Sequence, residues 1–159
     1  MQLKRVVVTG LGALTPIGNN IQEYWDALIS GKSGAAPITY YDTEKHKTKF
    51  ACEVKNFNIE EFIDRKEARR MDKFAQYAIV AGEQAIADAG ILDSNVNKQR
   101  VGVIWGAGIG GLETFQEEVL SYAKGDGTPR FNPFFIPKMI ADIAPAHISM
   151  RNGFMGPNY

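Results

Sequence analysis

The chain has 159 residues, of which 45% are hydrophobic and 23% are charged. These fractions are close to ordinary globular usage, so they exclude a disordered chain and predict one domain or a large part of one. Eighteen basic and eighteen acidic residues cancel, and this balance excludes an overall charge that attracts nucleic acid or membranes.

The chain lacks a possible disulfide and an apolar targeting segment, and both absences indicate a cellular compartment. Cys52 is the only cysteine, so the chain forms no internal disulfide, as is typical of a reducing compartment. Residues 1–10 hold an apolar run that is too short for a signal peptide, and no segment approaches the roughly 18 apolar residues of a membrane span. The sequence therefore predicts a soluble cytoplasmic protein.

The opening of the chain predicts a strand followed by a helix. Residues 3–9 are rich in β-branched side chains and end at a glycine, which is typical of a buried strand. After a glycine-containing loop, apolar residues recur at helical spacing from Ile21. The expected N-cap of this helix is Asn19 or Asn20, and its expected end is Gly31.

The next two segments differ in periodicity. Residues 32–65 show no sustained period, so we expect an irregular insertion within the domain. Helical spacing returns over residues 66–89, and Gly90 is the expected stop. Most side chains in the apolar stripe of this helix are small, which allows close approach to its neighbours: Phe74, Tyr77, Ala78, Ala81, Ala85 and Ala89. We therefore expect the helix to be central and buried.

The second half of the chain predicts one more strand and two more helices. Residues 101–105 form a short apolar run that leads into a glycine cluster, which is typical of a buried strand. Residues 112–123 have helical spacing. Residues 134–148 form an apolar segment with prolines suited to a first helical turn, and Pro145 is expected to kink or end that helix. Residues 153–157 are expected to form a closing turn.

The order of these elements predicts an α/β protein with a parallel sheet. Only two strands stand out, however, and a sheet of two strands is too small to be stable alone. We therefore expect further strands, from chain beyond Tyr159 or from another polypeptide, to complete the sheet.

The glycine cluster after the second strand fits the pattern Gly-x-Gly-x-x-Gly at Gly106, Gly108 and Gly111. In a dinucleotide-binding unit such glycines let a pyrophosphate approach a helix N-terminus, and an acidic residue follows about 20 positions later. Asp126 is near that spacing but lies in a polar loop rather than at the end of a strand. The cluster favours close backbone packing at a strand-to-helix turn, with nucleotide binding as the alternative.

Five basic residues cluster at the start of the helix predicted from residue 66: Arg65, Lys66, Arg69, Arg70 and Lys73. Most of them share one helical face, where they repel one another, and the only nearby counter-charges are Glu67 and Asp72. Spacing alone favours a solvated surface. The alternative is a docking patch for an acidic partner, which would explain why the chain tolerates this repulsion.

The remaining reactive side chains are few and scattered. His46 lies in a charged loop, and His147 lies among apolar residues, where a hydrogen-bonded structural histidine is favoured over a catalytic one. Cys52 has no flanking base and no helix N-terminus beside it, which is typical of an inert thiol. These residues predict neither a metal site nor a nucleophile–base pair, and no cofactor is expected.

Four blocks span nearly the whole chain and together resemble the β-ketoacyl-[acyl-carrier-protein] synthases of the elongating type. They are residues 5–18 (RVVVTGLGALTPIG), 69–77 (RRMDKFAQY), 105–112 (WGAGIGGL) and 131–139 (FNPFFIPKM), the last extended by 147–157 (HISMRNGFMGP). The resemblance favours the type II members, because Ile109 stands where type I members tend to have glycine. One departure is Ala146, at a position where the family often has glycine.

The resemblance implies a thiolase-like α/β fold, in which two similar halves stack in five αβαβα layers and two subunits form a dimer. Residues 1–159 would then be the N-terminal domain, an incomplete N-terminal half of that architecture. The resemblance also implies an acyltransferase of fatty-acid elongation. In this family a cysteine thiolate accepts an acyl group from acyl carrier protein. Malonyl-[acyl-carrier-protein] then loses carbon dioxide, and the resulting carbanion attacks the thioester in a Claisen condensation.

The catalytic residues of the family fall outside the matched positions. Its nucleophile follows a few residues after a Gly-Pro-x-x stretch, which here is residues 156–159, and its two histidines and its lysine lie further along. Cys52 does not match the nucleophile position. The resemblance therefore assigns no catalytic residue to this chain, and it predicts that these 159 residues alone do not catalyse condensation.

The resemblance also implies supporting roles at matching positions. Ile109, Phe135 and Ile136 correspond to residues that line the acyl pocket, the last two at the dimer interface of the family. A second set corresponds to the basic surface that meets acidic acyl carrier protein: Lys66, Arg69, Arg70 and Arg130. The resemblance thus favours docking for the basic cluster and a pocket wall for the glycine cluster.

Two alternatives to an elongating enzyme stay open. One is a non-catalytic partner subunit of the chain-length-factor type, which has lost the cysteine, and the other is a nucleotide-binding α/β domain. For the enzyme, the expected partners are acyl carrier protein, acyl and malonyl thioesters and a second copy of the chain. Neither nucleic acid nor a membrane is expected.

Overall fold

The computed structural model describes residues 3–159, and its first helix confirms the sequence prediction. Helix α1 spans Ile21–Ile29. The side chain of Asn20 accepts a hydrogen bond from the backbone N–H of Glu23 and so caps the helix. Gly31 follows the helix with a φ of 67°, a conformation that glycine adopts without steric cost.

The first part of residues 32–65 contains a short antiparallel ribbon of two strands. Its strands are β1 (Ala36–Pro37) and β2 (Phe50–Ala51). A 3-10 turn follows at Ile59–Glu61, and another lies further along the chain at Lys98–Arg100. The connections between these elements are turns and extended backbone.

The structure corrects the single helix predicted over residues 66–89, because two helices occupy this stretch. Helix α2 spans Arg65–Ala68 and helix α3 spans Lys73–Asp88. The helical conformation is interrupted before Asp72. The side chain of Asp72 accepts a hydrogen bond from the backbone N–H of Phe74 and caps α3. Aspartate bonds to nearby backbone in this way more readily than it continues a helix interior.

The backbone before α1 packs on α3 but forms no strand, so the buried strand predicted over residues 3–9 is wrong for this structure. These residues are extended and exposed, with Val6 90% accessible, and no strand among residues 3–159 pairs with them. The following loop is held closely, because a Cβ atom on Gly12 would overlap the backbone oxygen of Ala81. The β-branched pattern identified extended backbone, but pairing depends on a partner strand that the pattern does not contain.

Three helices form the second half of the chain. Helix α4 spans Leu112–Lys124, as predicted, whereas two helices replace the single one expected over residues 134–148: α5 (Phe135–Met139) and α6 (Ile143–Asn152). Pro145 lies in the first turn of α6 rather than ending a helix, because its missing N–H would have no intrahelical partner there. None of the helices in residues 3–159 is long and apolar enough to span a membrane.

The core lies where α3 packs against α6, which confirms that the small-residue helix is central and buried. Ala78 on α3 and Ala144 on α6 are fully buried and pack with Ile148. The two helices approach closely, since a Cβ atom on Gly82 would lie 3.0 Å from Cδ1 of Ile148. A second group of buried side chains continues the core towards α2: Ile63, Ala68, Met71, Ala75 and Ile79.

Parallel pairing joins residues 101–105 to residues 156–159. The backbone N–H of Val103 donates to the oxygen of Pro157 at 2.9 Å, and the N–H of Tyr159 donates to the oxygen of Val103 at 3.0 Å. The last residues therefore run beside an extended segment as well as turning, which corrects the prediction of a closing turn alone. Helices packed beside parallel-paired backbone give the mixed α/β class that the sequence predicts.

Candidate functional site

Helix α2 and the turn that follows it carry three cations that have no ion pair among residues 3–159. We call these residues, Lys66, Arg69 and Arg70, the basic turn, and all three are exposed. The two nearby acids are engaged elsewhere: Glu67 pairs with Arg151 on α6, and Asp72 accepts hydrogen bonds from Thr114 on α4. The fold thus engages Glu67 and Asp72 with other partners, which favours the interaction of the basic turn with an acidic partner.

The neighbouring cations behave differently. Arg65 pairs with Glu60 at 3.3 Å, and Lys73 pairs with Glu113 at 2.9 Å. Burial is the largest single influence and lowers the pKa of Lys73, but the hydrogen bond to Glu113 and the negative charge of Glu113, together with weaker contributions from Tyr40 and Asp72, outweigh it, so the net pKa lies above its ordinary value. These two residues belonged to the basic cluster in the sequence, yet within the fold they are locally neutralised.

Arg130 does not join the basic turn in this structure. It lies in the loop after α4, where it pairs with Asp126 at 3.6 Å and lines a separate hollow that also contains Lys124. It shares no hydrogen bond, ion pair or cavity with the residues of the basic turn. The predicted docking residues therefore form one group of three and one separate arginine.

Arg70 connects the basic turn to the start of α5. Its guanidinium carbon lies 5.0 Å from the centroid of the Phe134 ring, which is within the range of a cation–π contact. Phe134 directly precedes Phe135, one of the residues predicted to line the acyl pocket. The basic turn thus contacts the residue next to one of the predicted pocket residues.

The predicted pocket residues lie on two elements. Phe135, on α5, stacks with Phe115 of α4 at a centroid distance of 6.2 Å and with Phe131 at 5.9 Å. Ile136 on the same helix is exposed, and Ile109 is 71% exposed in the loop before α4. Ile109 and Ile136 are thus exposed apolar side chains, whereas Phe135 is partly buried beside its aromatic neighbours.

The glycine cluster, residues 106–111, which we call the glycine loop, is shaped by close packing at its end. Gly110 has a φ of 84°, and a Cβ atom there would overlap the backbone oxygen of Met139. The backbone N–H of Gly111 donates to the same oxygen at 2.8 Å. These contacts agree with tight backbone packing, the interpretation that the sequence favoured for the cluster.

The N-terminus of α4 offers poor geometry for a phosphate. The backbone N–H and the hydroxyl of Thr114 both donate to Oδ2 of Asp72, at 2.9 and 2.6 Å. A phosphate at this helix end would compete with that carboxylate for donors and would be repelled by it. Asp126, the acidic residue at dinucleotide-like spacing, instead accepts a hydrogen bond from the backbone N–H of Thr128 in an exposed loop.

The described residues also form a cavity that the sequence did not indicate. It has a volume of about 600 Å³ and lies between the β1–β2 ribbon and the helices α3 and α4. The ammonium group of Lys73 lies 4.3 Å from the centroid of the Tyr40 ring, and the hydroxyl groups of Tyr40 and Tyr77 are 3.4 Å apart. Burial and this hydrogen bond raise the pKa of Tyr77. Cys52 lines the same cavity as an exposed free thiol.

His147 is a half-buried residue of α6. Burial lowers its pKa, an effect that the nearby Glu67 carboxylate opposes and the Arg151 guanidinium reinforces. Within the part of the chain that the structure describes, no cluster of three or more histidine, cysteine, aspartate or glutamate residues could hold a metal ion.

Two residues that connect distant helices escaped the sequence analysis. Asp72 was counted only as a counter-charge, and Thr114 was not singled out, although together they join α3 to α4. The position of Asp72, just before a run with helical spacing, is a typical N-cap signal and could have been recognised. Its bond to Thr114 spans 42 residues and could not be read from local pattern.

Comparison with known proteins matches the whole described chain. The family model described as "Beta-ketoacyl synthase, N-terminal domain" matches residues 3–159. A 3-oxoacyl-[acyl-carrier-protein] synthase 2 from Staphylococcus aureus (strain COL) is 50% identical over 158 residues, which are 99% of this chain and 38% of that protein. The chain thus spans well under half the length of this relative.

Solved structures share the fold. The ishigamide ketosynthase/chain length factor matches 96% of this chain and 38% of its own, with a TM-score of 0.86 and 26% identity. A type II PKS acyl-carrier protein in complex with its ketosynthase matches 96% of this chain and 40% of its own, with a TM-score of 0.74 and 24% identity. The thiolase-like α/β fold is confirmed, and the chain belongs to the β-ketoacyl synthase family as its N-terminal domain.

Proposed function

We propose that this chain is the N-terminal part of a type II 3-oxoacyl-[acyl-carrier-protein] synthase, an acyltransferase of fatty-acid elongation. The observation that carries the proposal is the 50% identity over 158 residues to a synthase of that name. The reaction is a decarboxylative Claisen condensation. A cysteine thiolate takes the acyl group and releases the carrier thiol. Malonyl-[acyl-carrier-protein] loses carbon dioxide, and its carbanion displaces the thiolate from the acyl carbonyl.

In this proposal the described residues bind and orient substrates. The basic turn, Lys66, Arg69 and Arg70, docks an acidic acyl carrier protein, and its lack of ion pairs within residues 3–159 supports that role. A structurally similar ketosynthase is described in complex with an acyl-carrier protein, which supports the same class of partner. Arg130 contributes from a separate position.

The apolar residues beside the basic turn form the wall of the acyl pocket. Ile109, Phe135 and Ile136 are apolar, and the Arg70–Phe134 contact supports a pocket wall that lies close to a docked partner. A second subunit in a homodimer and chain beyond these residues would enclose the pocket. Ile109 then limits how long an acyl chain the enzyme accepts.

Charge reversal tests the docking role. In a synthase of the relatives' full length that carries these residues, we expect the double variant Arg69→Glu/Arg70→Glu to raise the apparent KM for acyl carrier protein about tenfold or more, because two attractive charges become repulsive. The effect should weaken as salt concentration rises, since exposed charges are screened. The matched control is Lys47→Glu/Lys49→Glu, which reverses two exposed cations in the segment between β1 and β2. Equal KM changes in both variants would contradict the proposal.

A non-catalytic partner subunit is the second candidate, and the TM-score of 0.86 to a ketosynthase/chain length factor favours it as an alternative. Incubation of the full-length protein with a radiolabelled acyl thioester separates the two functions. Label retained on a cysteine supports the enzyme, because the thiolate must carry the acyl group between the two half-reactions. A protein that never acquires label and alters product length only beside a second ketosynthase supports the partner subunit.

A further inference from the structure

The basic turn and the glycine loop meet at one buried carboxylate. Asp72 follows Arg69 and Arg70 in the chain and is only 7% exposed. Its Oδ1 atom accepts a hydrogen bond from the backbone N–H of Phe74 at 3.3 Å. Its Oδ2 atom accepts two hydrogen bonds from Thr114 on α4, at 2.9 and 2.6 Å. One side chain therefore contacts the first turns of both α3 and α4.

The glycine loop packs directly on this carboxylate. A Cβ atom on Gly111 would lie 3.0 Å from Oδ2 of Asp72 and 2.5 Å from the backbone oxygen of Lys138 on α5. The loop end is thus confined between Asp72 and the C-terminal end of α5. Because Ile109 lies two residues before Gly111, its position depends on the same contacts.

The backbone on the other side of Asp72 is also fixed. Met71 is buried in the core, and the side-chain amide of Gln76 donates to the backbone oxygens of Ala68 and Met71 at 3.1 and 3.5 Å. These contacts leave the turn that carries Arg69 and Arg70 little freedom to move relative to Asp72. Displacement of the carboxylate would therefore displace the docking cations.

We propose that Asp72 is a positioning residue that sets the spacing between the docking surface and the pocket wall. This inference rests on the function proposed above, because it assigns the basic turn to docking and Ile109 to the acyl pocket. An acyl chain tethered to a docked protein enters the pocket to a depth that this spacing determines. Small displacements between a docking surface and a reacting group are costly in such an arrangement.

Capping of α3 does not account for all the contacts of Asp72. The cap requires the bond from Phe74 to Oδ1, which any N-cap aspartate could accept. The two bonds from Thr114 to Oδ2 satisfy a buried carboxylate across 42 residues of sequence. Those two bonds, and not the cap, join the docking side to the pocket side.

The test removes the hydrogen bond from the Thr114 hydroxyl to Asp72 and keeps the N-cap of α3. In the full-length synthase, Thr114→Val deletes the hydroxyl donor at nearly constant volume, and Thr114→Ser retains it. We expect Thr114→Val to raise the apparent KM for acyl carrier protein about fivefold and to broaden the range of acyl-chain lengths in the products, because a charge-assisted bond at a buried site is lost. We expect Thr114→Ser and the exposed control Thr48→Val to stay within about twofold of wild type.

Amide hydrogen exchange gives a readout that does not depend on turnover. Phe74 and Gly111 lie on opposite sides of Asp72, and we expect their amides to exchange about tenfold faster together in Thr114→Val. Faster exchange at only one of the two sites would overturn the proposal. An unchanged KM and product profile in Thr114→Val, or the same change in Thr114→Ser, would also overturn it. If Thr114→Val does not fold, Asp72→Asn is measured in the same way, since asparagine keeps the cap.

Two further variants separate this inference from the proposed function. Arg69→Glu probes docking and Ile109→Phe probes the pocket in the same assays. If neither variant alters KM or product length, the proposed roles of those residues are wrong, whatever Thr114→Val does. If both variants act as expected and Thr114→Val behaves as wild type, the positioning role alone is wrong.

Discussion

Residues 65–88 contain two regions that share one helical period in the sequence but differ in the charge and exposure of their side chains. The C-terminal part, α3, buries small side chains such as Ala75 and Ala78 against its neighbours. The N-terminal part, α2 and the turn after it, presents Lys66, Arg69 and Arg70 to solvent. The boundary between them is a single capping residue, Asp72.

The difference teaches that counter-charges matter as much as the charges themselves. In the sequence, Glu67 and Asp72 lie among the cations, where their negative charges would weaken the electrostatic attraction of an acidic partner. In the fold, Glu67 forms a partly exposed ion pair with Arg151, and the buried Asp72 accepts hydrogen bonds from Thr114. Both acids therefore have other partners than the cations of the basic turn.

The largest expected effect concerns the packed region. Ala78 has no exposed surface, so Ala78→Leu must displace α6, and we expect it to lower the free energy of unfolding by about 3 kcal/mol. The matched control on the same helix is Ala87→Leu, at an exposed position, for which we expect a change within about 0.5 kcal/mol. Urea denaturation followed by tryptophan fluorescence measures both. Similar midpoints would show that α3 and α6 are not closely packed.

A smaller effect is expected at the contact that anchors α2 to the core. Nη1 of Arg151 donates to both carboxylate oxygens of Glu67, at 2.9 and 3.0 Å, and both side chains are partly shielded. We expect Glu67→Gln to lower the free energy of unfolding by about 1 kcal/mol. Glu60→Gln, which removes the more exposed pair with Arg65, should change it by less than about 0.3 kcal/mol. Identical losses would mean that α2 is not anchored through Glu67.

The smallest effect is a pH dependence of stability that arises from His147 on α6. The folded protein lowers the pKa of His147 below its ordinary value of 6.5, so the unfolded chain binds more protons as the pH falls below that value. Stability from the neutral imidazole is therefore present above about pH 6.5 and is lost progressively below it. We expect the midpoint urea concentration to decrease as the pH is lowered from about 8 to about 5.5. His147→Gln should reduce that decrease. The control is His46→Gln, at an exposed position. An unchanged pH dependence in His147→Gln would show that the Glu67 carboxylate cancels the combined effects of burial and Arg151 on the pKa of His147.

Several elements of the fold followed from local pattern alone. The helix after Asn20, the central position of α3 and the start of α4 after a glycine turn depend on capping, spacing and side-chain size within a few residues. The four blocks that resembled a known family also lie at fixed positions in the sequence, and the family match over residues 3–159 confirms that resemblance. The roles of Ile109, the basic turn and Arg130 stay predictions.

Other features required the tertiary structure. The exposure of residues 3–9 and the pairing of residues 101–105 with 156–159 depend on which strands are available as partners, and strand pattern does not encode the partner. The separation of Arg130 from the basic turn likewise depends on how α4 and its following loop are placed.

By itself the sequence determined the fold class, the family and the presence of a cationic segment, because these depend on residue types and spacing along the chain. Only the tertiary structure decided which of those cations remain unpaired and that Asp72 joins two distant helices. The physical reason is that ion pairs and buried hydrogen bonds form across space, between residues such as Asp72 and Thr114 that are 42 positions apart.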